Sequence, residues 1–131
     1  MLIGTTAIIG YADAPQYIDS KGGNGIVCLE NDVPADIPTK ENIKLALADA
    51  INKYGGGYAD LLDVLQCESS LLHYGVFGDN SRAYGVAQFH EPTFKQFCKG
   101  DYKNYKDQIN CFVKMMSQGL GKHWTCAKLL D

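Results

Sequence analysis

At 131 residues, with 46% hydrophobic and 21% charged side chains and a net charge of −3, the chain has the composition of one ordinary globular domain, long enough to bury about two thirds of the surface its unfolded form exposes. The weak negative charge argues against a nucleic-acid partner, and no run approaches the ~20 apolar residues of a membrane span, so stable membrane insertion is not expected. Residues 1–66 hold nine acids and four bases, and residues 67–131 six acids and eight bases, which leaves the second half weakly basic and compatible with an anionic polymer.

The chain opens on an apolar run, Leu2 to Ile9, followed by the small-residue pattern Ala12-Asp13-Ala14. This hints at an export signal, although no basic stretch precedes it and Pro15 would obstruct cleavage after Ala14. The alternative is an N-terminal strand of β-branched residues. Residues 13–39 hold three of the four prolines, with Gly22, Gly23 and Gly25, and show little periodicity, which is the composition of an extended arm. The expected division is an N-terminal segment over 1–38 and a globular domain over 39–131.

Thr39 can cap a helix from Lys40 to about Tyr54, in which Ile43, Leu47, Ala50, Ile51 and Tyr54 form one apolar stripe. Gly55-Gly56-Gly57 ends it, and a second helix follows closely enough that the two should pack as neighbours. There Tyr58, Leu61, Leu62 and Leu65 recur at i, i+3, i+4 and i+7. Glu68 stands seven residues beyond Leu61, within roughly 20° of the same direction at about 100° per residue. A carboxylate on an apolar stripe is desolvated, which penalises its charged form and raises its pKa. Such a group can hold its proton near neutral pH, as a general acid must; the structural alternative is an acid paired with a lysine or a backbone donor.

Gly75, Gly78 and the Asp79-Asn80-Ser81 cluster predict a chain reversal after this helix. Tyr84 to Phe89 reads as a short extended segment in which Tyr84, Val86 and Gln88 share a face and Phe89 turns to the core. Pro92 suits the first turn of a short helix bearing Phe94 and Phe97. Lys99, Lys103 and Lys106, interleaved with Tyr102 and Tyr105, read as a solvated turn, a glycan rim being the alternative. From about Asn104, Tyr105, Ile109, Phe112, Met116 and Leu120 repeat at helical spacing, with Gly119 placed to end the helix. A last helix would carry Trp124 and Cys126.

The pair Cys67-Glu68-Ser69-Ser70 and Ala83-Tyr84-Gly85-Val86-Ala87-Gln88-Phe89 resembles the Glu-Ser and Gly-Leu-Met-Gln motifs of the lysozyme-like soluble lytic transglycosylases, with Val86 and Ala87 in the Leu-Met positions. With Gln108-Ile109 and the stretch from Gln118 to Cys126 downstream, residues 58–130 are similar to the catalytic domain of the resuscitation-promoting factors. The resemblance implies an α+β, predominantly α, lysozyme-like fold with a small β element beside the catalytic helix. It implies cleavage of the β-1,4 link between N-acetylmuramic acid and N-acetylglucosamine in peptidoglycan, with Glu68 as catalytic acid and Gln88 in the wall of the glycan cleft. Tyr84, on the face of Gln88 in the extended reading, becomes a second candidate for substrate binding. The resemblance also implies a Cys67–Cys126 disulfide and an exported, extracellular or wall-associated protein whose partner is the peptidoglycan strand; it implies no cofactor.

Protonation of the glycosidic oxygen by Glu68 leaves an oxocarbenium-like sugar. Water captures it in a hydrolase; the sugar's own C6 hydroxyl captures it in a transglycosylase. Asp79, the only acid between Glu68 and Glu91, is the candidate second carboxylate of a hydrolase, and its Gly-Asp-Asn turn offers backbone capping as an equal task. The lack of a compelling partner acid favours the transglycosylase route, with a muramidase or a catalytically silent peptidoglycan-binding module as alternatives. Cys98 and Cys111 would close a short loop between neighbouring helices, which leaves Cys28 over. No C-x-x-C pair occurs, so no metal site is expected. His73 and His90 read as structural, and a cysteine–histidine hydrolase built on Cys67 is a formal option.

Overall fold

The computed structural model describes residues 37–130. The chain divides between Thr39 and Lys40, and the description below concerns the unit that begins at Lys40. The expectations for the apolar start, the arm and Cys28 lie outside the described residues.

Helix α1 (Lys40–Tyr54) forms where its stripe predicts and buries Ile43, Leu47 and Ala50, with Ile51 and Tyr54 packed against the same core. It stops where Gly55 takes a φ of 92° and its N–H closes onto the Ile51 carbonyl at 2.7 Å, a left-handed ending that costs glycine no Cβ clash. Helix α2 (Tyr58–Ser69) follows and touches α1, but the larger interface of α1 is with α4 (Tyr105–Ser117). The cause is the wider buried face of α4, which carries Gln108, Ile109, Cys111, Phe112, Val113 and Met115. In α2 the buried stripe is Leu61, Val64, Leu65 and Ser69. It begins later than expected, because Tyr58 in the first turn is 40% exposed.

Ser70 and Leu71 both end α2 in the left-handed region, at φ 58°. For a residue with a Cβ that conformation costs on the order of 1 kcal/mol, and the buried Leu71 side chain offsets it with about 2 kcal/mol of apolar transfer. The chain then makes a three-stranded antiparallel sheet of β1 (Phe77–Gly78), β2 (Ala83–Tyr84) and β3 (Phe89–His90), in that order. Phe77 lies opposite Tyr84, and Tyr84 opposite Phe89. Asp79, Asn80 and Ser81 all take positive φ and make the predicted reversal between β1 and β2.

Helix α3 (Glu91–Phe97) carries Pro92 in its first turn and buries Phe94. Phe89 meets Phe94 and Trp124 edge-on, each at 5.3 Å, and Trp124 meets Phe112 at 5.1 Å, the T-shaped geometry that aromatic quadrupoles favour. Asn104 caps α4, its side chain accepting from the Asp107 N–H at 3.0 Å, and Gly119 takes the left-handed conformation after its end. The expected last helix is instead two 3-10 turns, Gly121–His123 and Thr125–Leu130. Trp124 stands extended between them, with its indole in the core.

Cys67 is bonded to Cys126, and Cys98 to Cys111. The first bond spans a separation of 59 residues and joins α2 to the C-terminal turns; the second spans 13 and joins the end of α3 to α4. Loop-closure entropy assigns them about 4 and about 3 kcal/mol. Such bonds persist in oxidising compartments. The architecture is α+β and mostly helical, and among the described residues no helix is long and apolar enough to cross a membrane.

Candidate active site

Glu68 projects from the last turn of α2, one turn beyond the buried Leu65, and is half-buried. Its Oε2 accepts the Cys126 N–H at 3.1 Å, so the disulfide that joins Cys67 to Cys126 also positions the donor. Burial holds the carboxyl above the ordinary carboxylate range, and the Cys126 N–H opposes this more weakly by favouring the charged form. Oε1 has no hydrogen-bond partner among the described residues. The carboxyl therefore has one anchored oxygen and one free to hold a proton.

The segment after β2 departs from the extended reading. Gly85 to Gln88 is a turn, with Gly85 at φ 85° and Gln88 at φ 51°, closed by the Gln88 N–H donating to the Gly85 carbonyl at 3.1 Å. Gly85, Val86 and Ala87 are buried, and a buried turn has neither water nor a strand ladder for its peptide groups. Four distant side chains supply the partners. Ser69 Oγ donates to the Val86 carbonyl at 2.7 Å, and His73 Nδ1 accepts the Val86 N–H at 3.0 Å. Gln108 Oε1 accepts the Ala87 N–H at 3.1 Å, while its Nε2 donates to the carbonyls of Tyr84 and Tyr102, each at 2.9 Å. Trp124 Nε1 donates to the Ala87 carbonyl at 2.7 Å. Position 85 admits only glycine, since a Cβ there would lie 2.7 Å from Gln108 Nε2 and from the His73 ring.

This turn separates Tyr84 from Gln88, which the extended reading placed on one face. Tyr84 is 6% exposed; its ring packs on His73, Phe77 and Tyr102, with the Lys103 ammonium 4.6 Å from its centroid. It is a core ring. Gln88 lines a pocket of about 190 Å3 together with Phe89, His90, Thr93, His123 and Trp124. Its Nε2 donates to the Val76 and Gly85 carbonyls, at 3.2 and 2.9 Å, so toward a ligand Gln88 offers only its acceptor oxygen. Its left-handed backbone costs about 1 kcal/mol or more, the kind of strain that gathers at functional sites.

Asp79 pairs with Arg82 at 3.2 Å and with His90 Nε2 at 2.8 Å, which fastens the β1–β2 turn to β3. The lysine-rich stretch is more than a solvated turn, since Tyr102 donates its hydroxyl to the Phe89 carbonyl at 2.7 Å. Cys67 is held in a disulfide and has no thiol to act as a nucleophile, which removes the cysteine–histidine hydrolase. No cluster of three or more metal-ligating side chains exists among the described residues.

The chain matches no protein-family model, no curated protein and no solved structure. What the site can do has to be read from its own chemistry. Of the residues that build it, Gln108 carried an overlooked signal: it lies three after Tyr105 and four before Phe112, a polar side chain on an apolar stripe, as Glu68 is on α2. Ser69 stood in the Glu-Ser motif without an assigned task, and Tyr102 carried no signal. His73 lies beyond the end of α2 at Ser69 and has the structural task expected of it.

His73 also sets a pH limit on the fold. Nδ1 accepts from Val86, so Nε2 carries the proton and donates to the Lys103 carbonyl at 2.7 Å. Burial pushes the imidazole below its ordinary value of 6.5; the Lys103 carbonyl opposes the shift and the Lys103 charge adds to it. Between the folded and unfolded pKa values the unfolded chain binds more protons, so stability rises with pH across that window. It should be full above the ordinary histidine value and decline as pH falls below it. Urea midpoints taken near pH 7.5 and near pH 5.5 check this: the wild-type midpoint should drop more than that of His73→Gln, whereas equal drops would place the titration elsewhere.

Proposed function

We propose that this domain cleaves the β-1,4 bond between N-acetylmuramic acid and N-acetylglucosamine in peptidoglycan, with Glu68 as the only acid and base and a 1,6-anhydro sugar as product. The observation that supports the reading is the half-buried Glu68 carboxyl, whose pKa is raised by burial while one oxygen is anchored on the Cys126 N–H. The free oxygen carries the proton. It protonates the glycosidic oxygen as the bond to C1 breaks, leaving an oxocarbenium-like sugar and a carboxylate. The C6 hydroxyl of that sugar then attacks C1, and its proton returns to Glu68. Gln88 and Thr93, in the lining of the 190 Å3 pocket, are the polar residues assigned to the N–H and hydroxyl groups of the glycan. The two disulfides fit the exported location that such a substrate requires. The lysozyme-like architecture belongs to the same proposal.

The experiment is mass spectrometry of the soluble fragments released from peptidoglycan sacculi. Anhydro-muropeptides, lighter by one water than the hydrated products, support the transglycosylase; reducing-end fragments would make it a muramidase; wall binding without release would make it a binding module.

A muramidase needs a second carboxylate about 5–9.5 Å from the first, and Asp79 already has a task in fastening its turn. Asp79→Asn should leave turnover within a few-fold of wild type. The exposed ion pairs it loses are worth no more than about 1 kcal/mol. A fall in rate to the level of Glu68→Gln, with normal melting, would instead establish Asp79 as the second acid.

A further inference from the structure

A second pocket, of about 320 Å3, lies where the C-terminal end of α1, the α3–α4 connection and α4 meet, and its lining includes Lys53, Lys99 and Lys114. None of the three is ion-paired: the salt bridges among the described residues use Lys44, Arg82, His90 and Lys95, and Lys53 has only the face of Tyr54, 5.2 Å from its ring centroid. The one carboxylate of the lining, Asp107, is turned to the backbone, where it accepts the Asp101 N–H at 2.8 Å. The Asn110 side chain, also in the lining, has no hydrogen bond to the described residues.

Two of the lysines are held by the covalent frame. Lys99 follows Cys98, Lys114 stands about one helical turn beyond Cys111, and the Cys98–Cys111 disulfide joins these two points in the pocket wall. Folding thus brings three lysines, none of them ion-paired to a described residue, and a single carboxylate into the lining of one pocket.

We propose that this pocket binds a phosphate group. A phosphate monoester or free phosphate presents three terminal oxygens, one for each ammonium, and its charge near −2 balances the excess of three lysines over one aspartate. A carboxylate has two oxygens and one charge, and it leaves a lysine unmet. The site is separate from Glu68 and stands whether or not the glycan reading does.

The test uses the isotope-labelled full chain, following the Gly100 backbone amide and the Asn110 side-chain amide by NMR. Inorganic phosphate, glycerol phosphate and acetate are titrated separately at constant ionic strength. Both phosphates, or one of them, should give saturating shifts at these two positions, and acetate should bind more weakly. Response to inorganic phosphate alone identifies the free ion as ligand; an equal or stronger response to glycerol phosphate identifies a phosphate carried on a larger molecule. Each of Lys53→Gln, Lys99→Gln and Lys114→Gln should weaken binding by about two- to fivefold, the range of one exposed ion pair, and the triple variant should abolish the response. Absent shifts, shifts unchanged by the substitutions, or acetate binding as well as phosphate would overturn the proposal. Should the triple variant melt early, the three single variants decide the matter.

Discussion

Glu68→Gln is expected to remove peptidoglycan cleavage while leaving the fold intact. A positioned general acid contributes about 10²–10⁴-fold, and because Glu68 would serve first as acid and then as base, the loss should fall at the upper end of that range. Glutamine keeps the shape of the side chain and an oxygen that can accept the Cys126 N–H, so the contact that anchors Glu68 survives. The effect on stability has a definite sign. A carboxyl whose pKa is raised on folding binds more protons folded than unfolded, so wild-type stability declines as pH rises from about the ordinary value of 4.5 through the raised one. The glutamine variant lacks this decline and should melt at the wild-type temperature or above it near neutral pH. Fragment release from sacculi, measured beside melting curves at acid and neutral pH, checks both halves. Undiminished release by a folded Glu68→Gln protein would reject the mechanism.

Gln108→Ala should be the most destabilising of the substitutions considered. The side chain is fully buried and holds three main-chain groups at once, the Ala87 N–H and the carbonyls of Tyr84 and Tyr102. Each group left unsatisfied costs about 1–3 kcal/mol, and the void left by the side chain adds to that. The expected loss is about 4 kcal/mol or more, a large part of the ~5–15 kcal/mol that holds a domain together. Urea unfolding at neutral pH measures it. Gln108→Glu preserves the volume but sets carboxylate oxygens against two carbonyls. It should be nearly as damaging at neutral pH and should recover part of its stability in acid, where one oxygen regains a proton to donate. A loss below about 1 kcal/mol in the alanine variant would show that water can replace the amide.

The helices were legible because each presents an apolar stripe that recurs every three or four residues, as Ile43, Leu47 and Ala50 do on α1. Glu68 was legible by contrast with its own stripe. The strands were not: each is two residues long, too short for a period of two to register. The turn at Gly85 was missed for a different reason. Its partners Ser69, His73, Gln108 and Trp124 lie between 13 and 37 residues away from the peptide groups they hold, and local pattern carries no record of such distances. The two disulfides divide along the same line. Cys98 and Cys111 are neighbours in sequence and could be paired by proximity, whereas Cys67 and Cys126, 59 residues apart, rested on a resemblance. The C-terminal segment lacks the length for a stripe, and its 3-10 turns were misread as a helix.

Between β2 and β3, the residues that hold the turn grip main-chain atoms of Val86 and Ala87 and none of their side-chain atoms. Its shape is thus written in the side chains of Ser69, His73, Gln108 and Trp124 and in the missing Cβ of Gly85, while Val86 and Ala87 contribute only the packing of their buried side chains. A change at any of the distant holders therefore reshapes the loop at once, and a change of size at 86 or 87 reaches it through the core.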